Sequence, residues 1–210
     1  MTALKQLPWL LMLAAAPVLA QHPTPAKAAP KTAPAAVSPA ATPSAAQLLL
    51  DKSDLSFGIK QMGVPVEGRF KRYEAQLSLD PKKPETGKLS FRIELASATM
   101  GEAMADAELL KPAWFDSKKF PQAIFESSVI KSTGPGRFEV MGKLSIKGQS
   151  RDLSVPVSLT QANGVSTAIG SFQLKRLEFK IGEGEWSDTS VVANDVNVKF
   201  RLQFTGIAPL

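Results

Sequence analysis

The feature that most constrains the fold of this chain is a repeated alternation of apolar and polar residues. Successive side chains of a β-strand point to opposite faces, so a period of two gives a strand one apolar face. The clearest alternation occurs at 88–95, 138–147, 153–159 and 196–204. Weaker alternation occurs at 55–59, at 66–79 with a bend near Gly68, at 125–130 and at 165–174. The pattern therefore predicts an all-β domain of about eight strands.

Turn sequences separate these segments. They are Asp80-Pro81, Gly134-Pro135-Gly136, Lys147-Gly148 and Asn163-Gly164. Connections this short favour antiparallel neighbours, because parallel strands need long crossovers. Strands with one apolar face either close into a barrel or pack as a sandwich, and periodicity does not separate the two. We favour an eight-stranded antiparallel barrel, although Pro156 lies inside a predicted strand and proline prefers edges and bulges.

One segment interrupts the strand pattern. Residues 99–111 are rich in helix formers, Thr99 with Glu102 resembles a capping box, and Pro112 follows as a stop. The sequence therefore predicts a single short α-helix inserted into the β domain.

The N-terminal residues differ in composition from the rest. In residues 1–20, Lys5 precedes an apolar run and Val18-Leu19-Ala20 fits a cleavage site, which predicts a signal peptide and export to the periplasm. In residues 21–46, 16 of 26 residues are Ala or Pro, which is typical of an extended, disordered linker. The folded domain is then predicted over 47–210, with no membrane-spanning segment left after signal cleavage.

Charge and residue types exclude several functions. Of 25 basic residues three precede residue 47, and no acid does, which leaves 22 against 19 acids, or +3, on the domain. That surplus is too small for a nucleic-acid-binding face. The chain has no cysteine, and its one histidine, His22, lies in the linker. Nucleophilic Ser-His or Cys-His sites and imidazole or thiolate zinc sites are therefore excluded from the domain, and we predict neither enzyme activity nor a cofactor.

Three small groups of residues have both a functional and a structural interpretation. Glu183, Glu185 and Asp188 are a calcium or acid-base site, or more simply a solvated loop. Arg176 and Lys175 have two interpretations. They bind a pyrophosphate at the barrel mouth, or they are simply two exposed residues at the end of a strand. Trp114 and Phe115 form a lid over the opening or a hydrophobic plug.

An eight-stranded barrel either fills its interior with side chains or keeps room for one small ligand. The predicted inner face carries Phe, Leu, Val and Ile, which suits an elongated hydrocarbon and equally suits a solid core. Periodicity alone leaves these two alternatives open.

Four motifs resemble the YceI-like family. They are "MGVPVEGRF" at 62–70, "LLKPAWFDSKKFPQAIFES" at 109–127, "GKLSIKGQSRDLSVPV" at 142–157, and "FQLKRLEFKIGEGEWSDTSVVANDVNVKFRL" at 172–202. The resemblance implies an exported, lipocalin-like eight-stranded barrel with one helix, which binds a polyisoprenoid, quinone or related lipid. The side chains expected to contact such a ligand are Phe57, Ile59, Phe70, Phe91, Ile93, Trp114, Phe115, Phe138, Val140, Leu144, Arg176, Phe179, Val198 and Phe200.

The chain departs from the family pattern at two positions. Gln61 and Glu108 stand where the family often has histidine, which puts the chemistry of the ligand head group in doubt. The rival functions are a stress-response or interaction protein with a filled core and an enzyme that uses carboxylates or lysine. A homodimer is left open.

Overall fold

The computed structural model describes residues 45–210. The predicted signal peptide and residues 21–44 of the predicted linker lie outside this range. Ala46, the last residue of that linker segment, is buried and forms an isolated β-bridge with Leu77.

The described chain contains eleven strands and one α-helix. The strands are β1 (Gln47–Leu48), β2 (Asp54–Gln61), β3 (Val64–Phe70), β4 (Tyr73–Ser78), β5 (Lys88–Glu94), β6 (Ala98–Thr99), β7 (Gln122–Gly134), β8 (Arg137–Ile146), β9 (Gln149–Ala162), β10 (Val165–Lys175) and β11 (Asp195–Thr205). The helix is α1 (Ala103–Leu109). Short 3-10 turns occupy Leu50–Lys52, Pro84–Thr86, Leu95–Ser97, Arg176–Phe179 and Gly184–Ser187. No helix in residues 45–210 has the length and apolar character needed to cross a membrane.

All strands belong to one antiparallel sheet. Its order is β4-β5-β7-β8-β9-β10-β11-β2-β3-β6, and β1 pairs with β11. A single sheet excludes the sandwich, and the predicted antiparallel β domain with one short helix is confirmed. The predicted number of strands is wrong, because the segment 66–79 breaks at residues 71–72 into β3 and β4 and because the two-residue strands β1 and β6 were not expected.

The sheet is a strongly curled half-barrel. We predicted a closed barrel, in which the ladder of hydrogen bonds would run continuously around the sheet, and that prediction is wrong. Its hydrogen-bonded path ends at β4 on one side and at β6 on the other. β6 pairs only with Arg69 and Phe70, so this edge is too short to continue the ladder. The single bridge from Ala46 to Leu77 links the β1 side to β4.

Three hairpins turn at two-residue loops with positive φ at both residues. These loops are Met62-Gly63, Lys147-Gly148 and Asn163-Gly164. Two positive φ values define a type I′ turn, whose twist matches that of the strands it joins. The turns predicted at the second and third loops are confirmed.

Pro156 lies in β9 opposite Glu139 of β8. The ladder between β9 and β10 ends one residue away, at the pair formed by Val157 and Gly170. Proline lacks an N–H, so it is tolerated in this inner strand where the second ladder has already ended.

The helix begins differently from the prediction. Glu102 is the N-cap residue and makes no side-chain capping bond, so the capping box is wrong. Instead the Asp106 carboxylate accepts hydrogen bonds from Thr99 Oγ1 and from the Met100 N–H, both at 2.6 Å. These bonds fold the segment before the helix back onto its first turn.

Candidate ligand-binding cavity

The concave side of the sheet encloses a cavity of about 280 Å³. Its 24 lining residues come from β2, β3, β5, β7, β8, β10 and β11, from α1, from the segments on either side of β6, and from the loops that follow α1 and β10. All but Gln61, Glu108 and Arg176 are apolar. The volume is near the lower bound of roughly 300 Å³ for ligand pockets.

A second cavity of about 140 Å³ lies beside the first in the same interior. Its lining is entirely apolar. Both linings include Leu55, Ile93, Leu144, Phe172 and Val198. The two cavities therefore adjoin across one ring of side chains, and the core of the half-barrel is not filled by side chains from end to end.

Two loops, which we name the capping loops (residues 110–120 and 180–193), supply part of the first cavity's wall. The Ala113 carbonyl accepts hydrogen bonds from the Gly182 and Glu183 N–H groups at 2.8 and 2.9 Å. The rings of Trp114 and Trp186 also pack together, with centroids 5.5 Å apart. The capping loops are therefore joined to each other by backbone bonds and by an aromatic pair.

Arg176 holds the second capping loop in place. Its side chain is buried, at 1% exposure. Its five N–H donors reach five backbone carbonyls within 2.6–3.0 Å, those of Ile181, Gly182, Trp186, Val192 and Ala193. Burial lowers the pKa of Arg176, but an ordinary pKa above about 12 keeps the guanidinium charged. Of the two interpretations of Arg176, the exposed strand-end residue is therefore wrong, although Lys175 beside it is exposed.

Lys147 links both capping loops to the β8–β9 hairpin. Its side chain is 5% exposed. Its ammonium group donates to the Pro112 and Lys180 carbonyls, both at 2.6 Å, and to Glu183 Oε2 at 3.1 Å. These three acceptors match the three donors of lysine. They also offset the left-handed conformation of Lys147, at φ 48°.

The acidic loop does not bring its carboxylates together. Glu183 pairs with Lys147, whereas Asp188 Oδ1 accepts hydrogen bonds from the N–H and hydroxyl groups of Ser190 at 2.8 and 2.6 Å. These bonds lower the pKa of Asp188. Within residues 45–210 no group of three or more Asp, Glu, His or Cys residues is arranged to hold a metal ion.

The aromatic residues after α1 serve as wall rather than as a detached lid. Phe115 is buried and packs on Phe70, whose ring packs in turn on Phe57, at centroid distances of 5.9 and 5.3 Å. The indole N–H of Trp114 is buried and has no hydrogen-bond partner in the described part of the chain. An unpaired buried donor of this kind costs about 1–3 kcal/mol, so a ligand oxygen that paired with it would stabilise the complex.

Most of the residues expected to contact a ligand lie on the two cavities. Those on the first are Phe57, Ile59, Phe70, Ile93, Trp114, Phe115, Leu144, Arg176 and Val198. Those on the second are Phe91, Ile93, Phe138, Val140, Leu144, Val198 and Phe200. Phe179 lines neither. It is 2% exposed, and the Arg151 guanidinium lies 6.0 Å from its ring centroid.

Sequence reasoning missed several lining residues. Phe172 and Leu174 continue the period of two in β10, so the pattern could have identified them. Met100, Ile181, Trp186 and Val192 come from loops, where no periodicity marks an inward side chain. Gln61 and Glu108, noted only as departures from a family pattern, also lie on the first cavity.

A single curled antiparallel sheet with a helix and two loops over an apolar hollow defines the class of protein: a half-barrel with an internal cavity. Residues 47–204 match the YceI-like domain, which is well over half of the 210 residues. The chain therefore belongs to the YceI-like family, as the sequence motifs predicted.

Solved structures of similar proteins agree with this assignment. BcnA of Burkholderia cenocepacia is 41% identical, with a TM-score of 0.73, and the match covers 75% of this chain and 99% of BcnA. The Campylobacter jejuni YceI protein is 24% identical, with a TM-score of 0.61 over 66% of this chain and 83% of that one. A polyisoprenoid-binding domain from Saccharophagus degradans is 14% identical, with a TM-score of 0.64 over 77% of this chain and 98% of that one. The last two share the fold.

A UPF0312 protein of Azotobacter vinelandii is 29% identical over 116 residues, which cover 53% of this chain and 60% of that protein. The match thus spans about three fifths of that relative's length.

Proposed function

We propose that this protein binds one long-chain apolar molecule, an isoprenoid, a quinone or a related lipid, inside the half-barrel, to carry or sequester it. The observation that carries the proposal is the pair of adjoining cavities, whose linings contain three polar side chains in the first and none in the second. Such a surface favours a hydrocarbon over water, because apolar burial is the main source of binding free energy there.

Energetics set a lower limit on the length of the tail. Burying one methylene group contributes about 0.8 kcal/mol, while association costs an estimated 4 to 15 kcal/mol. A tail of about six carbons therefore binds weakly, whereas one of about fifteen carbons contributes about 12 kcal/mol. The two cavities adjoin, which supports a ligand long enough to reach from the first into the second.

The chemistry of the cavity favours binding over catalysis. Its only charged residues are Glu108 and Arg176, and Arg176 bonds to backbone carbonyls. Glu108 forms an ion pair with Lys111 at 2.5 Å. Lys111 does not line the cavity, and the lining that residues 45–210 form contains no Ser, Thr, Tyr, Cys or Lys side chain that could act as a nucleophile. We therefore propose a binding protein. The hollow core also argues against the rival interaction protein, which required a filled one. The S. degradans relative, described as a polyisoprenoid-binding domain, agrees with a lipid ligand at the level of the fold.

We further propose that residues 1–20 direct the protein to the periplasm. Cell fractionation followed by N-terminal sequencing of the mature protein tests this step. Recovery in the cytoplasm with residue 1 intact would contradict it.

Native mass spectrometry and solvent extraction of protein purified from its own host test the binding function. We expect a bound lipid with a tail of about fifteen or more carbons. The variant Ala123→Phe places a ring in the first cavity, where Ala123 is 2% exposed. It should lose the lipid and bind added long-chain prenol at least about tenfold more weakly, a loss of about 1.4 kcal/mol.

The matched control is Ala162→Phe, the same substitution at an exposed position at the end of β9. It should retain both the lipid and the affinity for prenol. Thermal unfolding of both variants confirms that they fold. The proposed function would be refuted if folded wild-type protein were consistently recovered without lipid and did not bind added lipid.

A further inference from the structure

The charged groups near the first cavity leave little for an anionic head group. The cavity is lined by one cation, Arg176, and one anion, Glu108. The five N–H donors of Arg176 already bond to five carbonyls of the second capping loop. A phosphate would have to displace those buried bonds and leave the carbonyls without partners.

Two cations that contact the capping loops and the cavity residue Glu108 are also engaged. Lys147 uses its three donors on the Pro112 and Lys180 carbonyls and on Glu183. Lys111 pairs with Glu108, and its side chain is 60% exposed. The Glu108 carboxylate itself repels an anion that enters the cavity. A phosphate inside the cavity would therefore give up its hydration without gaining a charged donor from the lining.

The groups that remain suit a neutral oxygen. The indole N–H of Trp114 is buried without a partner, and Gln61 places a neutral amide on the same cavity lining. An indole donates one hydrogen bond, and an amide both donates and accepts. A hydroxyl or carbonyl oxygen satisfies such a pair without a charge on either side.

We propose that the ligand of this cavity has an uncharged polar end, as in a prenol or a quinone, and that the protein discriminates against phosphorylated forms of the same tail. Trp114 donates to the ligand oxygen, and Glu108 disfavours the anion. This inference rests on the proposed function and names the class of lipid that the same cavity accepts.

The test compares a long-chain prenol with its monophosphate, which have the same tail and differ only in the head group. Binding of each to the purified full chain is measured by titration at constant salt. We expect the prenol to bind about tenfold or more tightly than the monophosphate. Equal or tighter binding of the monophosphate overturns this inference and leaves the proposed function standing. Binding of neither overturns both.

A pair of variants examines the role of Trp114. Trp114→Phe keeps an aromatic ring but removes the indole donor, so its affinity for the prenol should fall about fivefold. Its affinity for a hydrocarbon of the same length without oxygen should fall less, because that ligand loses only contact with the larger ring. The matched control is Trp186→Phe, on the ring that packs against Trp114, which should affect prenol and hydrocarbon alike. If Trp114→Phe weakens both ligands equally, Trp114 is only part of the wall and its assigned hydrogen bond is wrong.

Discussion

At the scale of single residues, the interior depends on glycines that lie beneath aromatic rings. Phe57 of β2 is the register partner of Gly68 in β3, and Phe200 of β11 is the partner of Gly170 in β10. A Cβ atom on Gly68 would lie 2.3 Å from the nearest atom of the Phe57 ring, and one on Gly170 would lie 2.4 Å from the Phe200 ring. Because Gly68 and Gly170 have no side chain, the rings of Phe57 and Phe200 can pack over them.

This geometry predicts a specific loss of stability. Gly68→Ala should lower the free energy of unfolding by about 1–3 kcal/mol, because the Phe57 ring must leave its packed position. The measurement is urea denaturation, with the midpoint and slope fitted together.

Gly58→Ala in β2 is the matched control. Its added Cβ would have no neighbour nearer than 4.0 Å, so we expect little change in stability. Equal effects of the two substitutions would show that the contact with Phe57 is not what requires glycine at residue 68.

At the scale of elements, the long strands were predictable and the short ones were not. β11 alternates exposed and inward side chains along its whole length, because one face of the strand packs against the core, and that burial leaves a period of two in the sequence. β1 and β6 have only two residues each. A pair of residues carries no period, and these strands exist because distant segments offer them a pairing edge.

The start of α1 is a second element that local pattern misassigned. Thr99 and Glu102 have the spacing of a capping box, but the Thr99 hydroxyl and the Met100 N–H donate to Asp106 instead. The hydrogen bond from Thr99, then that from the Met100 N–H, and lastly the charge of Lys71 lower the pKa of Asp106. The sequence motif predicts a capping residue. Which acceptor lies close enough to the available donors depends on how the segment before the helix folds.

The lowered pKa predicts how the stability of this element depends on pH. A carboxyl group with a lower pKa in the folded state contributes stability above its unfolded pKa of about 3.9 and loses it as the pH falls through the folded value. Wild-type protein should therefore lose stability below about pH 4. The Asp106→Asn variant has no carboxyl group to protonate at this position, so it should lack the part of the acid-induced loss of stability that Asp106 causes. At neutral pH this variant should be less stable than the wild type.

Denaturation curves recorded from pH 7 down to about pH 2.5 measure the difference between the two proteins. Asp51→Asn, at an exposed carboxylate in the first 3-10 turn, is the control and should keep the wild-type profile. A parallel profile for Asp106→Asn and wild type would show that the bonds to Thr99 and Met100 do not depend on the charge of Asp106.

At the scale of the whole molecule, the sequence predicted which side chains face inward. It did not predict how these side chains pack together across the interior. Inward-facing Phe91, Phe138 and Leu144 follow from alternation alone. Whether these side chains fill the core or leave a hollow depends on the curl of the complete sheet and on the capping loops. Arg176 illustrates the same limit. The sequence left two interpretations open, a pyrophosphate partner at the barrel mouth or an exposed strand end. In the structure the loop of residues 180–193 folds around Arg176 and supplies five carbonyl acceptors that no local pattern reveals.

Because the two cavities adjoin, we expect the binding affinity to depend on the length of the ligand tail. Val198 lines both cavities and is 8% exposed. Val198→Phe should fill the space where the two cavities adjoin, since a well-packed core has little room for added atoms. A prenol of about fifteen carbons, which needs less of the second cavity, should then lose little affinity, whereas one of about thirty carbons should bind about tenfold more weakly.

Val129→Phe makes the same substitution on β7 at a half-buried position that is not among the residues lining either cavity. It should leave both affinities unchanged, and competition between the two prenols for one fluorescent lipid measures them side by side. An equal loss of both prenols in Val198→Phe would mean that the tail does not pass from one cavity to the other. The second cavity would then be a packing defect of the core, because only a tail that occupies both cavities makes affinity depend on length in this way.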